Sequence, residues 1–202
     1  MKGKFIVVEG IDGSGKTTLV NSVYQKLIKA NFPIAKFSEP TDFPTGFLIR
    51  KFLRNEIALS KDKQLEAFLE DRSISLQNNV YPSLNSGKHV LLDRYFYSTC
   101  AYQSDNKYSP SFILNLNLEK GFPLPDLVIY LDISPQAALD RINKRKETKE
   151  RFESLDFLTK VHEAYNQVLE PDTFRVDAGM DATELSAVVE KKILSITVQT
   201  YL

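Results

Sequence analysis

Residues 5–17 read FIVVEGIDGSGKT, and residues 10–17 within them match the G-x-x-x-x-G-K-S/T pattern of a phosphate-binding loop. The apolar run at residues 5–8 predicts a short buried strand that leads directly into the loop. An amphipathic helix is predicted after the loop, with a stripe formed by Thr18, Leu19, Val23, Leu27 and Ile28. Glycines let the backbone approach phosphates closely, while successive N–H groups and the helix N-terminus face the anion. The stretch therefore predicts binding of a nucleoside triphosphate.

The loop supplies most of the candidate cofactor-binding residues. Lys16 is expected to bridge the terminal phosphates, and the Thr17 hydroxyl is expected to hold Mg²⁺. The alternative is a glycine-rich turn that matches by chance, and the strand before and helix after it argue against that alternative. The candidate residues in this stretch are Gly10, Ile11, Asp12, Gly13, Ser14, Gly15, Lys16, Thr17 and Thr18.

Composition favours a single domain over residues 1–202. Of the 202 residues 43% are hydrophobic, which is enough for one well-buried core and short for two domains. Lysine and arginine number 26 and balance 26 aspartates and glutamates, so the overall charge does not indicate nucleic acid or a membrane surface as a partner. A small charged ligand fits better.

Targeting and redox features predict a cytoplasmic protein. The N-terminus enters the predicted first strand at once, and no apolar run approaches the ~20 residues of a membrane span. The lone Cys100 cannot form an intrachain disulfide, which fits a reducing compartment. It lies in a predicted helix, where a buried structural thiol is favoured over a nucleophile.

Apolar runs alternate with helical patterns and predict an α/β fold, a parallel sheet with helices on both faces. Five strands are expected, at residues 5–8, 35–37, 90–92, 128–131 and 174–176. The longest helix is predicted over residues 63–86, with a kink or break at Pro82 and Gly87 as its C-cap. A further helix is predicted to begin at Ser134 and Pro135.

Polar residues follow two of the predicted strands, where ligands bind in parallel α/β sheets. Glu39 and Pro40 follow the second strand, and Asp93, Arg94 and Tyr95 follow the third. A carboxylate near Mg²⁺ and an arginine near a phosphate are the groups that a nucleotide site needs there.

The segment D-R-Y-x-x-S-x-x-A-Y-Q at residues 93–103, together with the phosphate loop, closely resembles the thymidylate kinases (dTMP kinases). Further matches in the family's order are Glu39-Pro40 with Gly46-x-x-Ile49-Arg50, Phe68-x-x-x-Arg72, Pro125-Asp126-Leu127 with Tyr130-Leu131-Asp132, and Arg151-Phe152-Glu153. The resemblance implies a P-loop NTPase-type sheet with a short mobile lid, and phosphorylation of dTMP to dTDP by ATP and Mg²⁺. It also implies a homodimer.

The resemblance assigns the base and phosphate contacts of dTMP. Phe68 would stack on thymine, and Arg72, one helical turn on, would bond to a base carbonyl. Arg94 and Arg50 would clamp the phosphate, because guanidinium groups match phosphate oxygens. Without the resemblance, Phe68 at helical spacing would be read as core and Arg50 as an exposed helix arginine.

The resemblance also assigns the remaining substrate contacts. Ser98 and Thr99 would reach the polar edge of thymine, although local helix capping is the alternative. Tyr102 would lie against the deoxyribose C2′, and Asp12 would meet the sugar 3′-OH. The full substrate-binding set is Asp12, Glu39, Pro40, Arg50, Phe68, Arg72, Arg94, Ser98, Thr99, Tyr102 and Gln103, and the metal set is Thr17 and Asp93, the latter through water.

The expected reaction is in-line attack of the dTMP phosphate on the γ-phosphorus of ATP, which needs position and positive charge but no covalent nucleophile. A lid at about residues 141–153 is expected to close over the phosphates, with Arg141 and Arg145 binding the nucleotide. In the family that the sequence resembles, a catalytic arginine comes either from the phosphate loop or from the lid. Because the loop has Gly13 and Ser14 instead, the resemblance implies a lid arginine, and Arg151 is favoured over Arg145 because it holds the family's Arg-Phe-Glu position. The catalytic set is Lys16, Arg94, Arg151 and Asp12.

The chain departs from the family's pattern at Ser38, at Thr41-Asp42 and at Glu150-Arg151. Two other functions remain open. A deoxynucleoside kinase would use Glu39 as the base that activates a neutral hydroxyl. A nucleotide-dependent regulatory switch would bind ATP without an acceptor, and the lid arginines argue against it.

Overall fold

The computed structural model describes residues 2–144 and 154–197, and in them five strands form one parallel sheet in the order β2-β3-β1-β4-β5. The strands are β1 (Phe5–Gly10), β2 (Ile34–Ser38), β3 (His89–Asp93), β4 (Leu127–Asp132) and β5 (Phe174–Asp177). The predicted five-stranded parallel sheet is confirmed, and each strand extends beyond its predicted apolar run.

Helices flank the sheet and connect its strands. In the described residues they are α1 (Lys16–Lys29), α2 (Pro44–Leu53), α3 (Lys61–Ser75), α4 (Tyr81–Asn85), α5 (Phe96–Gln103), α6 (Pro110–Glu119), α7 (Pro135–Lys144), α8 (Leu155–Val168) and α9 (Ala182–Thr197). None of these helices has the length and apolar character needed to cross a membrane.

The central strand β1 places the phosphate loop at the carboxyl edge of the sheet. All six residues of β1 are buried, because it pairs with β3 on one side and β4 on the other. A strand buried on both faces reads as a continuous apolar run, as residues 5–8 do. The loop that follows is therefore anchored to the best-packed part of the fold.

Helix α1 confirms the predicted helix after the loop but not all of its stripe. Leu19, Val23 and Leu27 are buried as expected, and Val20 is buried with them. Thr18 and Ile28 are wrong as core positions, because both are exposed, Ile28 by 40%. Both residues lie at the edges of the apolar stripe, on the part of the helix surface that no longer faces the sheet.

The long helix predicted over residues 63–86 is interrupted. Helix α3 begins at Lys61, where the Ser60 hydroxyl accepts a hydrogen bond from the Lys63 N–H, and a π-helical turn (Leu76–Val80) separates it from α4. Pro82, which cannot donate a backbone hydrogen bond, lies in the first turn of α4, where the backbone stays helical, so the change in helix type precedes the proline and the chain is not broken there. Gly87 follows the end of α4 with φ 83°.

Two smaller predictions also have an outcome. Helix α7 begins at Pro135 as expected. Cys100 lies in α5 and is fully buried, and burial raises the pKa of its thiol to about 12, which confirms a structural thiol. Of the predicted lid, residues 141–144 form the end of α7, whereas residues 145–153 lie outside the described residues.

Candidate active site

The phosphate loop adopts a conformation that requires its glycines. Gly13 has φ 83°, and a Cβ at this position would lie 2.4 Å from the Ala138 carbonyl oxygen. Helix α7 therefore packs directly on the loop backbone, and a side chain would push the two apart. Gly15, with φ 93°, directly precedes the first turn of α1.

Lys16 is held inside the loop. Its Nζ donates to the Ile11 carbonyl at 2.9 Å, and the residue is only 5% exposed. Burial and the nearby charge of Arg94 lower the pKa of Lys16 to about 8. An anion placed in the loop would relieve both effects, so the site is electrostatically suited to a phosphate.

Thr17 and Asp93 lie next to each other, as the metal assignment expects. The Thr17 hydroxyl donates to Asp93 Oδ2 at 2.8 Å, and Asp93 Oδ1 is buried without a hydrogen-bond partner. A free, buried carboxylate oxygen beside a hydroxyl fits Mg²⁺, which prefers oxygen ligands and keeps waters and phosphates for the rest. In the residues that the structure describes, no cluster of three or more His, Cys, Asp or Glu side chains could hold a metal.

A cavity of about 250 Å³ lies beyond the ends of β2 and β3, between α3 and α5. It brings together every residue that the sequence assigned to the substrate, and it adds Leu53 and Tyr95. The lining residues are Asp12, Glu39, Pro40, Arg50, Leu53, Phe68, Arg72, Arg94, Tyr95, Ser98, Thr99, Tyr102 and Gln103.

Arg94 connects this cavity to the phosphate loop. It has φ 69°, its guanidinium forms an ion pair with Asp12, and its Nη1 donates to the Ser98 hydroxyl at 3.0 Å. Although burial alone raises the pKa of Asp12, the charges of Arg94 and Lys16 hold it below its usual range. The Asp12 N–H donates to the Tyr102 hydroxyl at 2.8 Å, so the loop also contacts α5 directly.

Arg72 is fixed by three partners at the far wall of the cavity. It pairs with Glu39 at 2.9 Å, and it donates to Asn117 Oδ1 at 2.7 Å and to the Thr99 hydroxyl at 3.0 Å. Its Nε is buried and has no hydrogen-bond partner in the protein. Burial raises the pKa of Glu39 to about 7, against the opposing charge of Arg72.

The loop after β2 contains two departures from the family's pattern, and both have partners. Thr41 donates to Asp71 through its backbone N–H at 2.8 Å and through its hydroxyl at 2.6 Å. Asp42 pairs with Arg50 at 2.9 Å, while Arg50 Nη1 donates to the Pro40 carbonyl at 2.8 Å. The substituted residues therefore hold the loop and Arg50 in place.

Two cavity residues have side chains that the protein does not fully use: one ring is partly exposed, and one buried amide lacks hydrogen-bond partners. Phe68 is only partly buried and does not belong to the hydrophobic core. Gln103 is fully buried, and both polar atoms of its amide lack a hydrogen-bond partner. Buried polar groups are normally paired, so the amide is suited to a ligand with a donor and an acceptor.

A second cleft, of about 390 Å³, lies on the other side of the phosphate loop. Arg141 lies in it, with Nη2 donating to the Ala178 carbonyl at 2.7 Å, whereas Arg145 and Arg151 lie outside the described residues. Sequence reasoning missed the segment after β5 that forms its outer wall. That wall is formed by Ala178, Met180, Ala182, Thr183 and Leu185.

Three further buried polar residues were missed. Asn117 and Asp71 support Arg72 and Thr41, and Glu9 lies in β1 beneath the phosphate loop. Only Glu9 carried a signal in the sequence, because a carboxylate that ends a fully apolar strand must be paired if it is buried. For Asn117 and Asp71 no local pattern distinguishes them from solvent-facing helix residues.

Comparison with known proteins gives one consistent result. Residues 8–193 match the family model for thymidylate kinase. The thymidylate kinase of Leptospira interrogans is 54% identical over 188 residues, 92% of each chain, and the probable thymidylate kinase of Archaeoglobus fulgidus is 39% identical over 190 residues, 94% of each. A solved structure of thymidylate kinase from Candida albicans superposes with a TM-score of 0.80 at 28% identity and covers 96% of this chain and 92% of its own. This chain therefore belongs to the thymidylate kinase family.

Proposed function

We propose that this chain transfers the γ-phosphoryl group of ATP to dTMP with the help of Mg²⁺ and so forms dTDP. Phosphorylation of dTMP is the function expected of this family, and the donor, the metal and the residue roles are the proposed parts. The observation that carries them is the cavity that the assigned substrate residues line, which Arg94 connects to the phosphate loop through its ion pair with Asp12.

Arg94 and Arg50 are proposed to bind the acceptor phosphate. Both line the same cavity and both are held by protein partners, so little side-chain entropy is lost when a phosphate binds. Two fixed guanidinium groups also offset the repulsion between the acceptor and donor phosphates. A monophosphate suits this wall of the cavity better than a neutral nucleoside.

The opposite wall is proposed to bind thymine. Phe68 offers a partly exposed ring for stacking, and the free Nε of Arg72 is suited to a base carbonyl. The unpaired amide of Gln103 offers one donor and one acceptor to the imide edge of the base. Thr99 already accepts from Arg72, so its proposed role is to hold that arginine against the base edge.

Tyr102 and Asp12 are proposed to read the sugar. The Asp12 backbone N–H donates to the Tyr102 hydroxyl, and both residues line the cavity next to the phosphate loop. A 2′-hydroxyl would meet the buried Tyr102, whereas the 3′-OH would find an ionised carboxylate. Glu39 and Pro40 complete the cavity beside Arg72.

On the donor side, the phosphate loop is proposed to bind the ATP phosphates, and the second cleft is proposed to take the purine beside Arg141. Thr17 and Asp93 fit Mg²⁺, which when bound would neutralise charge on the transferring phosphoryl group. Lys16 needs only to exchange the Ile11 carbonyl for phosphate oxygens. Lys16 and Arg94 then supply fixed positive charge around a loose transition state.

The lid, the dimer and the location remain proposals. A lid over residues 141–153 of one domain spanning residues 1–202, with Arg145 and Arg151 closing over the phosphates, is supported by the sequence and by the position of Arg141 next to the phosphate loop. A homodimer is supported by large apolar side chains that are exposed on α2 and α6, namely Phe47, Leu48, Phe112 and Leu118. A cytoplasmic location stays a prediction.

A deoxynucleoside kinase remains the competing function, and the geometry disfavours it. The carboxylate expected to act as base, Glu39, is buried and paired with Arg72 at the thymine wall rather than at the phosphate loop. A carboxylate held in an ion pair is a weaker general base than a free one.

A substrate panel tests the proposal. Initial rates with ATP and Mg²⁺ are measured for dTMP, thymidine, CMP, AMP and GMP, and omission of Mg²⁺ serves as the control. We expect dTMP to have the highest kcat/KM and the rate to depend on Mg²⁺. A higher rate with thymidine or with another monophosphate would contradict the proposed substrate.

A further inference from the structure

Glu9 is a buried carboxylate with every acceptor position filled. Oε1 accepts from the Tyr95 N–H at 2.8 Å and the Ser98 N–H at 3.2 Å, while Oε2 accepts from the Ser98 hydroxyl at 2.6 Å and the Tyr165 hydroxyl at 2.8 Å. An ionised carboxylate offers about four lone-pair sites, so this set satisfies it. Burial raises the pKa of Glu9, and the hydrogen bonds and Arg94 oppose that rise.

This carboxylate fixes the beginning of α5. The N-cap residue, Tyr95, makes no side-chain capping bond, and Glu9 instead accepts the Tyr95 N–H and the Ser98 N–H of the first turn. Arg94 directly precedes this turn with φ 69°, a conformation that costs free energy for a residue with a side chain. The surroundings that hold Arg94 in it therefore include the contact between Glu9 and Tyr95.

The Ser98 hydroxyl connects the same carboxylate to the Arg94 side chain. It donates to Glu9 and accepts from Arg94 Nη1 at 3.0 Å. The Tyr165 oxygen lies 2.9 Å from the Ser98 oxygen and 3.3 Å from the carbonyl oxygen of Gly10. Tyr165, which belongs to α8, thus contacts both groups that set the position of Arg94.

Packing alone explains the Tyr165 ring but not its hydroxyl. The ring is fully buried and lies 5.1 Å from the Tyr130 ring. The Tyr130 hydroxyl is also buried, yet it has no hydrogen-bond partner. A phenylalanine would fill the same space at either position, and only at Tyr165 would it remove a contact to Glu9 and Ser98.

We propose that Tyr165 is a positioning residue for phosphoryl transfer, whose hydroxyl holds Glu9 and Ser98 so that the Arg94 guanidinium faces the acceptor cavity. The inference rests on the proposed role of Arg94 at the phosphate of dTMP. It adds a residue outside the cavity, on a different helix, to the groups on which the reaction depends.

The test compares Tyr165→Phe with Tyr130→Phe, a matched loss of one buried hydroxyl from neighbouring rings. We expect Tyr165→Phe to lower kcat with dTMP about tenfold or more, because a small displacement of the Arg94 guanidinium from the acceptor phosphate slows transfer. The KM for ATP should stay within about twofold of the wild-type value. Tyr130→Phe should have wild-type kinetics. Thermal melting is measured for both variants, so that a stability change is separated from a kinetic one.

A double-mutant cycle distinguishes positioning from a general structural role. In an Arg94→Ala background there is no guanidinium to hold, so adding Tyr165→Phe should lower kcat no further. The inference would be overturned if the kcat losses of Arg94→Ala and Tyr165→Phe multiply in the double variant. It would also be overturned if Tyr165→Phe has the same kinetics as Tyr130→Phe. If Tyr165→Phe does not fold, Ser98→Ala is put through the same cycle, with the same expected and contradicting results.

The wild-type rate separates this inference from the function on which it rests. Turnover of dTMP by the wild type, together with an unaffected Tyr165→Phe enzyme, would overturn the inference alone. A wild type that does not phosphorylate dTMP would overturn both.

Discussion

At the scale of single residues, the charged groups of the cavity are held by the protein before any ligand arrives. Arg94 is fixed by Asp12 and Ser98, and Arg72 is fixed by Glu39 and two neutral partners. Such preorganisation removes part of the entropic and reorganisation cost of reaching the transition state. The consequence is that variants which loosen these side chains should affect rate more than fold.

Phe68→Ala and Leu69→Ala, adjacent on α3, should separate binding from stability. Phe68 faces the cavity and its stacking is present in ground and transition states alike, so its loss should raise the KM for dTMP with little change in kcat. Leu69 is a core residue, and its loss should cost about 2–5 kcal/mol of unfolding free energy with the KM unchanged. Steady-state kinetics and urea unfolding measure both. If Phe68→Ala keeps the wild-type affinity for dTMP but loses stability, Phe68 is a core residue and does not stack on the base.

Glu39 should give the protein a specific pH dependence. Because burial raises its pKa from 4.5 to about 7, the folded protein keeps a proton that the unfolded chain loses between these values. Its contribution to the free energy of unfolding is therefore full at low pH and falls as pH rises through this window. Relative to the wild type, Glu39→Gln should become more stable between about pH 5 and about pH 7.5.

Urea unfolding at the two pH values measures this difference, and Glu163→Gln, which removes an exposed carboxylate on α8, is the control. The control should follow the wild-type pH profile. A Glu39→Gln profile parallel to the wild type would show that Glu39 has an ordinary pKa in the folded protein.

At the scale of elements, the sequence predicted the sheet better than the helices. The apolar runs located all five strands. The signal was strongest for β1 and β3, because a strand buried on both faces needs apolar residues throughout, and the edge strands β2 and β5 gave shorter runs. The predicted apolar stripe of α1 was wrong at Thr18 and Ile28, which are exposed. The sequence does not mark sharply where the buried face of a helix ends and the exposed face begins. The break expected at Pro82 is absent, because the backbone stays helical there, and the π-helical turn before it depends on packing and has no local pattern.

Gly46 determines how closely α2 approaches the loop after β2. A Cβ at this position would lie 1.9 Å from the Thr41 carbonyl oxygen, a backbone atom that cannot move without the loop. Gly46→Ala should therefore lower the unfolding free energy by about 2 kcal/mol or more and raise the KM for dTMP. The exposed Lys51→Ala on the same helix should stay within about 0.5 kcal/mol of the wild type. Wild-type melting of Gly46→Ala would mean that α2 stands further from the loop.

At the scale of the whole molecule, the site exists because distant segments meet at one edge of the sheet. The residues that the resemblance assigned to the substrate, from Asp12 to Gln103, all line one cavity, and their roles stay predictions. It did not find Glu9 or Tyr165, which lie 156 residues apart in the chain and meet only in the fold. Residues that touch a ligand leave a motif, whereas residues that hold them are defined by three-dimensional contacts.

The most direct test of Arg94 as the acceptor clamp is the single-turnover rate of phosphoryl transfer from ATP to dTMP, measured by rapid quench. Arg94→Ala should slow transfer by about 10²-fold or more, because it removes a fixed positive charge beside the phosphate groups that react. Arg54→Ala, which removes an exposed arginine near the same cavity, is the control and should leave the rate unchanged. Wild-type melting with the slowed rate is the predicted result, and a near-normal transfer rate in Arg94→Ala would contradict it.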